Sequence, residues 1–464
     1  MEILDLDRHF FEQPTINIGM IGSVSNGKSS LTEKLTRENT LRHSQERKRD
    51  ITMKLGYANC KIYKCINCKP PECYQSFPCK TNCAYCEECG EKMELKKHIS
   101  IVDCPGHNLL MATMLNGTCV MDTSILVESI ANKKIPAPQT EEHLIAASIT
   151  GLKNDIVCMN KLDLVPSKID CMEKIDQFRD YLKNTIAEKS PIIPIVANYE
   201  INIDVLCQYI CERVVEPERD LKSNVKMIII RSFNVNKQNV PIKDMKGGVI
   251  GGTIMKGVLK KGDRVEILPG LINRNNDKKK GEGEKKGEGE GEEEGEGEKD
   301  TEWIYEPIIS RVESISSKEN SLDFAIPGGL LGIQLTIDPA LTSKDRLVGN
   351  ILKTINNEKT DFYKIYEVLF VRLELLERKS GIIELKKNDE IIVNFNACNI
   401  TCKIIKVKNN HAEIKLLERP ICVENGDYIT ISKKDSSGIT VIGRAEIIDG
   451  HKSKRKISIN EEYI

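Results

Sequence analysis

Gly22-Ser23-Val24-Ser25-Asn26-Gly27-Lys28-Ser29 is the stretch that decides the fold, and it directly follows the apolar run Ile16–Ile21. Leu31 and Leu35 come next, with the spacing of a helix. Strand, Gly-x-x-x-x-Gly-Lys-Ser and helix in this order are typical of a phosphate-binding loop. The same letters also occur by chance in surface turns, but the flanking strand and helix favour the phosphate loop.

Each residue type in this loop has an expected role in binding phosphate or Mg²⁺. Two glycines let the backbone N–H groups approach phosphate oxygens closely, and the helix N-terminus adds partial positive charge. Lys28 is expected to bridge the outer phosphates, and the Ser29 hydroxyl to ligate Mg²⁺. The predicted phosphate-side contacts are consecutive: Ser25, Asn26, Gly27, Lys28, Ser29 and Ser30.

The chain has 464 residues, which is too long for one ordinary domain. No signal peptide and no apolar run long enough for a bilayer are evident, so we expect a cytoplasmic protein that uses no membrane. The net charge is −1, but residues 277–300 contain 11 acidic and 6 basic residues, so the remainder carries +4. A mildly basic remainder permits an RNA partner without requiring one.

The pattern along the chain predicts an α/β domain followed by two small β-barrels. Strand-like and helical segments alternate over residues 15–217, which favours a mostly parallel, doubly wound sheet. Short Ile- and Val-rich runs separated by turns follow in 218–357 and 358–450. We expect tails at 1–14 and 451–464, and a disordered acidic insertion at 277–300 rather than an acidic interaction tail.

Two further motifs identify the nucleotide. Asp103-Cys104-Pro105-Gly106 follows a predicted strand, where Asp103 would lie on the Mg²⁺ side and the Gly106 N–H could sense the γ-phosphate. Asn160-Lys161-Leu162-Asp163 follows another strand, and its Asp163 carboxylate could accept hydrogen bonds from guanine N1 and N2. Alone, this second pattern is compatible with a polar turn. Three motifs in order, each at a strand end, predict a GTP/GDP site.

Two residues are predicted to act around the γ-phosphate. Thr52 lies between the phosphate loop and Asp103, where a switch segment would supply a second Mg²⁺ ligand. A plain strand threonine is the alternative interpretation. His107 follows Gly106 and could orient the attacking water, although a single histidine can also be structural. We therefore predict His107 and Gly106 as the catalytic residues.

The cysteines are concentrated in one segment, with eight of the 17 between Cys60 and Cys89. The pairs Cys65-x-x-Cys68 and Cys86-x-x-Cys89 have the spacing of a structural Cys₄ zinc site, a knuckle inserted at about residues 60–90. Cys83-x-x-Cys86 is an alternative second pair, and Cys73 and Cys79 are further candidates. Reduced thiols without metal are the alternative to a zinc site.

These motifs resemble the gamma subunit of translation initiation factor 2, a relative of elongation factor Tu. The resemblance rests on the stretches 17–22, 51–59 and 102–107, on the knuckle, and on the barrel motifs Lys246-Gly247-Gly248-Val249 and Ala325-Ile326-Pro327-Gly328-Gly329-Leu330. It implies a three-domain GTPase with a low intrinsic rate. Such a protein would carry methionyl initiator tRNA to the small ribosomal subunit, and GTP hydrolysis would release the factor once the start codon is found.

The resemblance also implies partners and a third nucleotide contact. The partners are alpha and beta subunits, a GTPase-activating factor and a guanine-nucleotide-exchange factor. Val196-Ala197-Asn198 stands where the family has Ser-Ala-Gln near guanine O6, and the Ala197 N–H is the group retained. Ser23 and Asn26 replace the histidines usual in the family's phosphate loop. The alternatives are an elongation-type or selenocysteine-specific carrier, and a nucleotide-dependent scaffold that does not hydrolyse GTP.

Overall fold

The computed structural model describes residues 6–40, 52, 54–237, 239–274, 302–318, 320–355, 363–378, 381–435 and 438–456. The predicted insertion at 277–300 lies outside these residues. In the part of the chain that the structure describes, no helix combines the length and the hydropathy needed to cross a membrane.

The N-terminal part, which we call the α/β domain, alternates strands and helices as predicted. Its strands are β1 Ile16–Ile21, β2 Gly56–Lys64, β3 Tyr74–Pro78, β4 Glu94–Asp103, β5 Thr123–Ser129, β6 Lys153–Asn160 and β7 Ile192–Pro194. Its α-helices are α1 Leu6–Glu12, α2 Lys28–Thr36, α3 Met111–Thr118, α4 Pro138–Ile149, α5 Lys168–Leu182 and α6 Ile203–Arg213. Short 3₁₀ helices lie at Asn108–Leu110, Leu162–Leu164 and Ala197–Tyr199.

The sheet of the α/β domain has the strand order β3-β2-β4-β1-β5-β6-β7. Strands β4, β1, β5, β6 and β7 run parallel to one another. Strand β2 pairs antiparallel with both β4 and β3. Both faces are buried: Leu31 and Leu206 pack on one face, and Leu144 and Phe178 pack on the other. The prediction of a mostly parallel, doubly wound sheet is therefore confirmed, with an antiparallel edge that the sequence pattern did not show.

Two antiparallel sheets follow and close on themselves. The first barrel contains β8 Lys226–Phe233, β9 Val249–Lys256, β10 Leu259–Lys260, β11 Arg264–Arg274, β12 Trp303–Ser317, β13 Asn320–Leu322, β14 Phe324–Ala325, β15 Leu331–Leu335 and β16 Ile351–Thr354, with 3₁₀ helices at Ile242–Asp244 and Pro339–Asp345. The second barrel contains β17 Lys364–Leu375, β18 Glu377–Arg378, β19 Gly381–Ile382, β20 Glu390–Phe395, β21 Cys398–Lys408, β22 His411–Leu416, β23 Ile421–Val423, β24 Tyr428–Asp435 and β25 Gly438–Lys452. Pairing of β11 with β12 closes the first sheet, and pairing of β17 with β22 closes the second. The prediction of two β-barrels is confirmed.

Within the regions that we expected to be tails, 1–14 and 451–464, the residues that the structure describes, 6–14 and 451–456, contain a helix and short stretches of strand. Helix α1 lies against the first barrel, where His9 stacks on Phe324 with ring centroids 4.3 Å apart. The Gln13 side chain donates to the carbonyl oxygens of Ile326 and Gly328 at 2.7 and 2.8 Å. These contacts join positions more than 300 residues apart in the sequence, and no local pattern reveals such packing.

The C-terminal end continues the second barrel and returns to the first. Strand β25 extends to Lys452, and a further short strand, β26 Lys454–Arg455, pairs in parallel with Ile304 and Tyr305 of β12. The polar composition of this segment suggested a tail, and the side chains of both β26 residues are indeed exposed. The backbone pairing, rather than burial of side chains, places this segment.

Candidate nucleotide site

The phosphate loop connects the buried strand β1 to helix α2, and its backbone requires glycine at two positions. Gly22 and Gly27 have φ values of +134° and +95°. A Cβ atom at Gly22 would lie 2.2 Å from the carbonyl oxygen of Val127, and one at Gly27 would lie 2.2 Å from Asn160 Nδ2. The close approach of strand β5 and of the Asn160 side chain therefore shapes the loop.

Lys28 points into the concave side of the loop. Its Nζ atom donates to the carbonyl oxygens of Gly22 at 2.9 Å and Ser23 at 2.8 Å. Burial lowers the pKa of Lys28, and the negative charge of Asp103 opposes that shift. A buried ammonium group surrounded by loop carbonyls is suited to an anionic ligand in the loop.

Hard oxygen atoms converge beside Lys28. Ser29 Oγ donates to Asp103 Oδ2 at 2.7 Å and lies 2.9 Å from Thr52 Oγ1. Thr40 Oγ1 donates to the same Asp103 oxygen at 2.7 Å. Hydroxyl and carboxylate oxygens are the ligands that Mg²⁺ prefers, so this donor set fits that ion. Thr40 was not predicted, since a single threonine after a helix matches no motif.

The two predicted catalytic residues differ in position. Gly106 lies against the phosphate loop, and a Cβ atom there would come within 2.6 Å of Lys28 Nζ and of the Val24 backbone nitrogen. His107 is exposed, and its Nδ1 atom accepts a hydrogen bond from the Leu109 N–H at 3.2 Å. The structure thus brings Gly106 to the loop but leaves the His107 side chain turned toward solvent.

Asn160 joins the phosphate loop to the predicted base-side loop. Its Nδ2 atom donates to the Asn26 carbonyl oxygen at 2.9 Å, and its Oδ1 atom accepts the Ala197 N–H at 3.0 Å. We expected the Ala197 N–H to be directed at guanine O6, and in this structure it is directed at Asn160 instead. Lys161, with φ +67°, precedes the turn that carries Asp163, whose side chain is exposed.

A cavity of about 310 Å³ brings most of the predicted residues together. The predicted residues that line it are Ser25, Gly27, Lys28, Ser29, Ser30, Thr52, Gly106, Asn160, Lys161, Asp163, Val196, Ala197 and Asn198. Val24 and Leu164 also line it and were not predicted. Asn26, Asp103 and His107 are not among its lining residues; Asp103 contacts the cavity through Ser29, and the Asn26 side chain is turned to strand β5.

The cysteine cluster resolves into one group of four. The sulfur atoms of Cys65, Cys68, Cys86 and Cys89 all lie within 4.8 Å of one another. Cys83 is exposed and lies outside the group, so the alternative pair with Cys86 does not form. The backbone N–H of Asn67 lowers the pKa of the Cys65 thiol to about 7, which favours the thiolate that a metal requires. Four sulfur donors at this spacing fit tetrahedral zinc.

Comparison with known families finds matches at both ends of the chain. The elongation factor Tu GTP binding domain matches residues 13–216, and the C-terminal domain of initiation factor eIF2 gamma matches residues 363–447. Two solved structures share the fold at low sequence identity. A bacterial selenocysteine-specific elongation factor has a TM-score of 0.64 at 21% identity, over 93% of this chain and 58% of its own. Elongation factor SelB from Methanococcus maripaludis, in complex with a GTP analogue, has a TM-score of 0.64 at 19% identity, over 95% and 80%.

Curated relatives match nearly the whole chain. The gamma subunit of eukaryotic translation initiation factor 2 from Schizosaccharomyces pombe is 39% identical over 94% of both chains. Subunit 3 of that factor from Drosophila melanogaster is 38% identical over 94% of this chain and 89% of its own. The archaeal gamma subunit from Methanococcus vannielii is 40% identical over 94% and 99%. The chain therefore belongs to the family of gamma subunits of translation initiation factor 2, and it is a GTP-binding translational GTPase.

Proposed function

We propose that this chain is the nucleotide-binding core of an initiation factor that, with GTP bound, carries methionyl initiator tRNA to the small ribosomal subunit. The observation that carries the proposal is the single cavity in which the phosphate loop, Thr52, Gly106 and the 160–163 and 196–198 loops meet. These are the parts that a GTP-dependent switch needs. The relatives are named as gamma subunits of translation initiation factor 2, which supports a role in initiation. The cargo is the one that the family resemblance of the sequence motifs implies.

On the phosphate side, Lys28 would leave the loop carbonyls and pair with the outer phosphates. Ser29 and Thr52 would hold Mg²⁺ with their hydroxyl oxygens, and Asp103 would orient Ser29 from behind. The ion, when bound, neutralises charge that develops on the phosphates. Contacts to Mg²⁺ and the γ-phosphate would hold Thr52 in the GTP complex and would be lost after hydrolysis, so the segment around it would report which nucleotide is bound.

On the base side, Asp163 would select guanine. Its carboxylate accepts from guanine N1–H and N2–H₂, and it would face an unprotonated N1 acceptor in adenine. Asn160 fixes the distance between this side and the phosphate loop, because it hydrogen-bonds to Asn26 and to Ala197.

Hydrolysis would require His107 to turn from its exposed position toward the γ-phosphate and orient a water molecule. The exposed side chain in this structure supports a low intrinsic rate, because productive alignment would wait for an activating partner. A separate exchange factor would then replace GDP by GTP.

We infer a structural zinc ion at Cys65, Cys68, Cys86 and Cys89. The knuckle between β2 and β4 is short, and a metal would supply the stability that its small core cannot. Alpha and beta subunits complete the proposed factor, and its place of action would be the cytoplasm.

The proposal is tested by the affinity for charged tRNA. The full chain, assembled with its alpha and beta partner subunits, is titrated with methionyl initiator tRNA and with methionyl elongator tRNA, each in GTP and in GDP. Of these four combinations, we expect initiator tRNA with GTP to bind at least about tenfold more tightly than each of the other three. A tenfold difference corresponds to about 1.4 kcal/mol. Preference for elongator or selenocysteinyl tRNA would favour the sibling carriers. Equal affinity in GTP and GDP, or GTP that is never hydrolysed, would favour the scaffold.

A further inference from the structure

A carboxylate that no motif predicted lies beneath the phosphate loop. Glu128, near the end of β5, has no exposed surface. Its Oε1 atom accepts from Asn132 Nδ2 at 2.6 Å. Its Oε2 atom accepts from Thr140 Oγ1 and, at 3.3 Å, from Asn26 Nδ2. A fully buried carboxylate is costly unless its lone pairs are satisfied, and here the donors come from three separate segments.

Asn26 connects this carboxylate to the loop. Its Nδ2 atom also donates to the Val127 carbonyl oxygen at 2.9 Å, and its Oδ1 atom accepts from Asn132 Nδ2 at 3.2 Å. The next two residues are Gly27 and Lys28. The conformation of the loop immediately before its lysine is therefore fixed by side-chain contacts to strand β5 and to the segment that follows it.

Thr140 makes a second connection, to the start of the loop. Its Oγ1 atom accepts the Ser23 N–H at 3.3 Å and donates its own proton to Glu128. Glu128 thus acts on both arms of the loop, through Asn26 on one side and through Thr140 on the other. Its negative charge also opposes the lowering of the Lys28 pKa that burial causes.

We propose that Glu128 is a positioning residue of the nucleotide site, which holds the phosphate loop in its binding conformation through Asn26 and Thr140. It does not touch the nucleotide itself. The phosphate loop encloses the phosphates that GDP and GTP have in common. Glu128 therefore affects the affinities for GDP and GTP alike. This inference rests on the proposed nucleotide site.

The test uses an isosteric change and a double-mutant cycle. Glu128→Gln replaces one acceptor oxygen by an amide that faces donors, so we expect GDP and GTP to bind about tenfold more weakly. Asn26→Ala should weaken both to a similar extent. Because Glu128 acts partly through Asn26, the loss in the double variant should be smaller than the sum of the two single losses. Glu33→Gln removes an exposed carboxylate from helix α2 and should leave both affinities within about twofold.

Purified full chain is titrated with fluorescent GDP and GTP, and unfolding is followed separately without nucleotide. Glu128→Gln binding within twofold of the wild type, or fully additive losses in the double variant, would overturn the proposal. A lower melting temperature with unchanged affinity would show a merely structural role and would overturn it too.

Two further variants keep the outcomes distinguishable. Should Glu128→Gln not fold, Asn132→Ala removes one donor from Glu128 and one from Asn26, and a loss of about threefold is expected for both nucleotides. Unchanged affinity in that variant would contradict the positioning role. Lys28→Ala reports on the site itself. If Lys28→Ala binds nucleotide normally, the site proposal fails; if only Glu128→Gln does, the site stands and the positioning role fails.

Discussion

Lys28 is the residue on which nucleotide binding should depend most. Its ammonium group is buried within the phosphate loop, so its removal leaves the phosphates without their cation. We expect Lys28→Ala to weaken GTP and GDP binding by about 10²-fold or more. Equilibrium titration measures this, with Lys34→Ala as the control, since Lys34 lies on the same helix and pairs with Glu200. Normal GTP affinity in Lys28→Ala would contradict the phosphate-loop assignment.

His107 should matter for catalysis and not for binding. Its exposed side chain accepts a hydrogen bond from the Leu109 N–H, and His107 is not among the residues that line the cavity. We expect His107→Ala to slow partner-stimulated hydrolysis by roughly 10²-fold or more, with nucleotide and tRNA affinities nearly unchanged. Single-turnover hydrolysis with the activating partner gives the rate, and His411→Ala, exposed on β22, is the matched control. An unchanged rate would make His107 a structural residue.

At the residue level, the motif positions were predictable because their chemistry requires fixed spacing along one chain. Thr40 and Glu128 were not, because they contribute to the site only after β4 and β5 lie beside β1. Ala197 lines the cavity, but its N–H donates to the side chain of Asn160, a partner that the sequence pattern did not indicate. Such contacts are set by tertiary packing and leave no local pattern.

The knuckle is the element whose stability should depend on metal. Its four sulfur atoms converge, while Cys83 remains outside. We expect the purified chain to contain about one zinc ion. Cys89→Ser should lose it and become sensitive to proteolysis within residues 65–89, whereas Cys83→Ser should keep it. Elemental analysis and limited proteolysis measure these effects, and a full zinc content in Cys89→Ser would exclude this ligand set.

Helices and strands with a regular hydrophobic pattern were predictable from the sequence, and the remaining elements were not. Helix α5 ends at Leu182, because Lys183 leaves the helical conformation and Asn184 has φ +65°, and no Gly or Pro marks this end in the sequence. Strands β2 and β3 escaped prediction since cysteines and polar residues of the knuckle interrupt their alternation. Helix α1 and strand β26 are short and are held by partners distant in sequence.

At the scale of the whole molecule, the insertion at 277–300 leaves the first barrel between Arg274 of β11 and Trp303 of β12, which are paired. Deleting it would leave Asn275, Asn276, Thr301 and Glu302 to join the two strands. Loop-closure entropy changes by only about 1 kcal/mol for such a shortening. We expect the melting temperature to shift by less than about 5 °C. A large drop, measured by calorimetry, would show that the insertion packs on the protein.

The domains contact one another through specific polar groups as well as apolar surfaces. Gln13 joins the α/β domain to the first barrel. Lys226 of the first barrel pairs with Glu424 of the second barrel at 2.6 Å. The existence of three domains was predictable from changes in sequence pattern. Their contacts were not, because each depends on one or two side chains placed by the assembled fold.

Capture of initiator tRNA should depend on the guanine contact at Asp163. Asp163→Asn should exchange guanine for xanthine selectivity, because the amide can donate to the xanthine C2 oxygen. The decisive measurement is the affinity of the assembled factor for methionyl initiator tRNA in GTP and in xanthosine triphosphate. We expect the wild type to bind initiator tRNA about tenfold more tightly with GTP than with xanthosine triphosphate. Asp163→Asn should show the reverse preference, also by about tenfold. Tight binding by Asp163→Asn with GTP, or binding independent of nucleotide, would contradict the account.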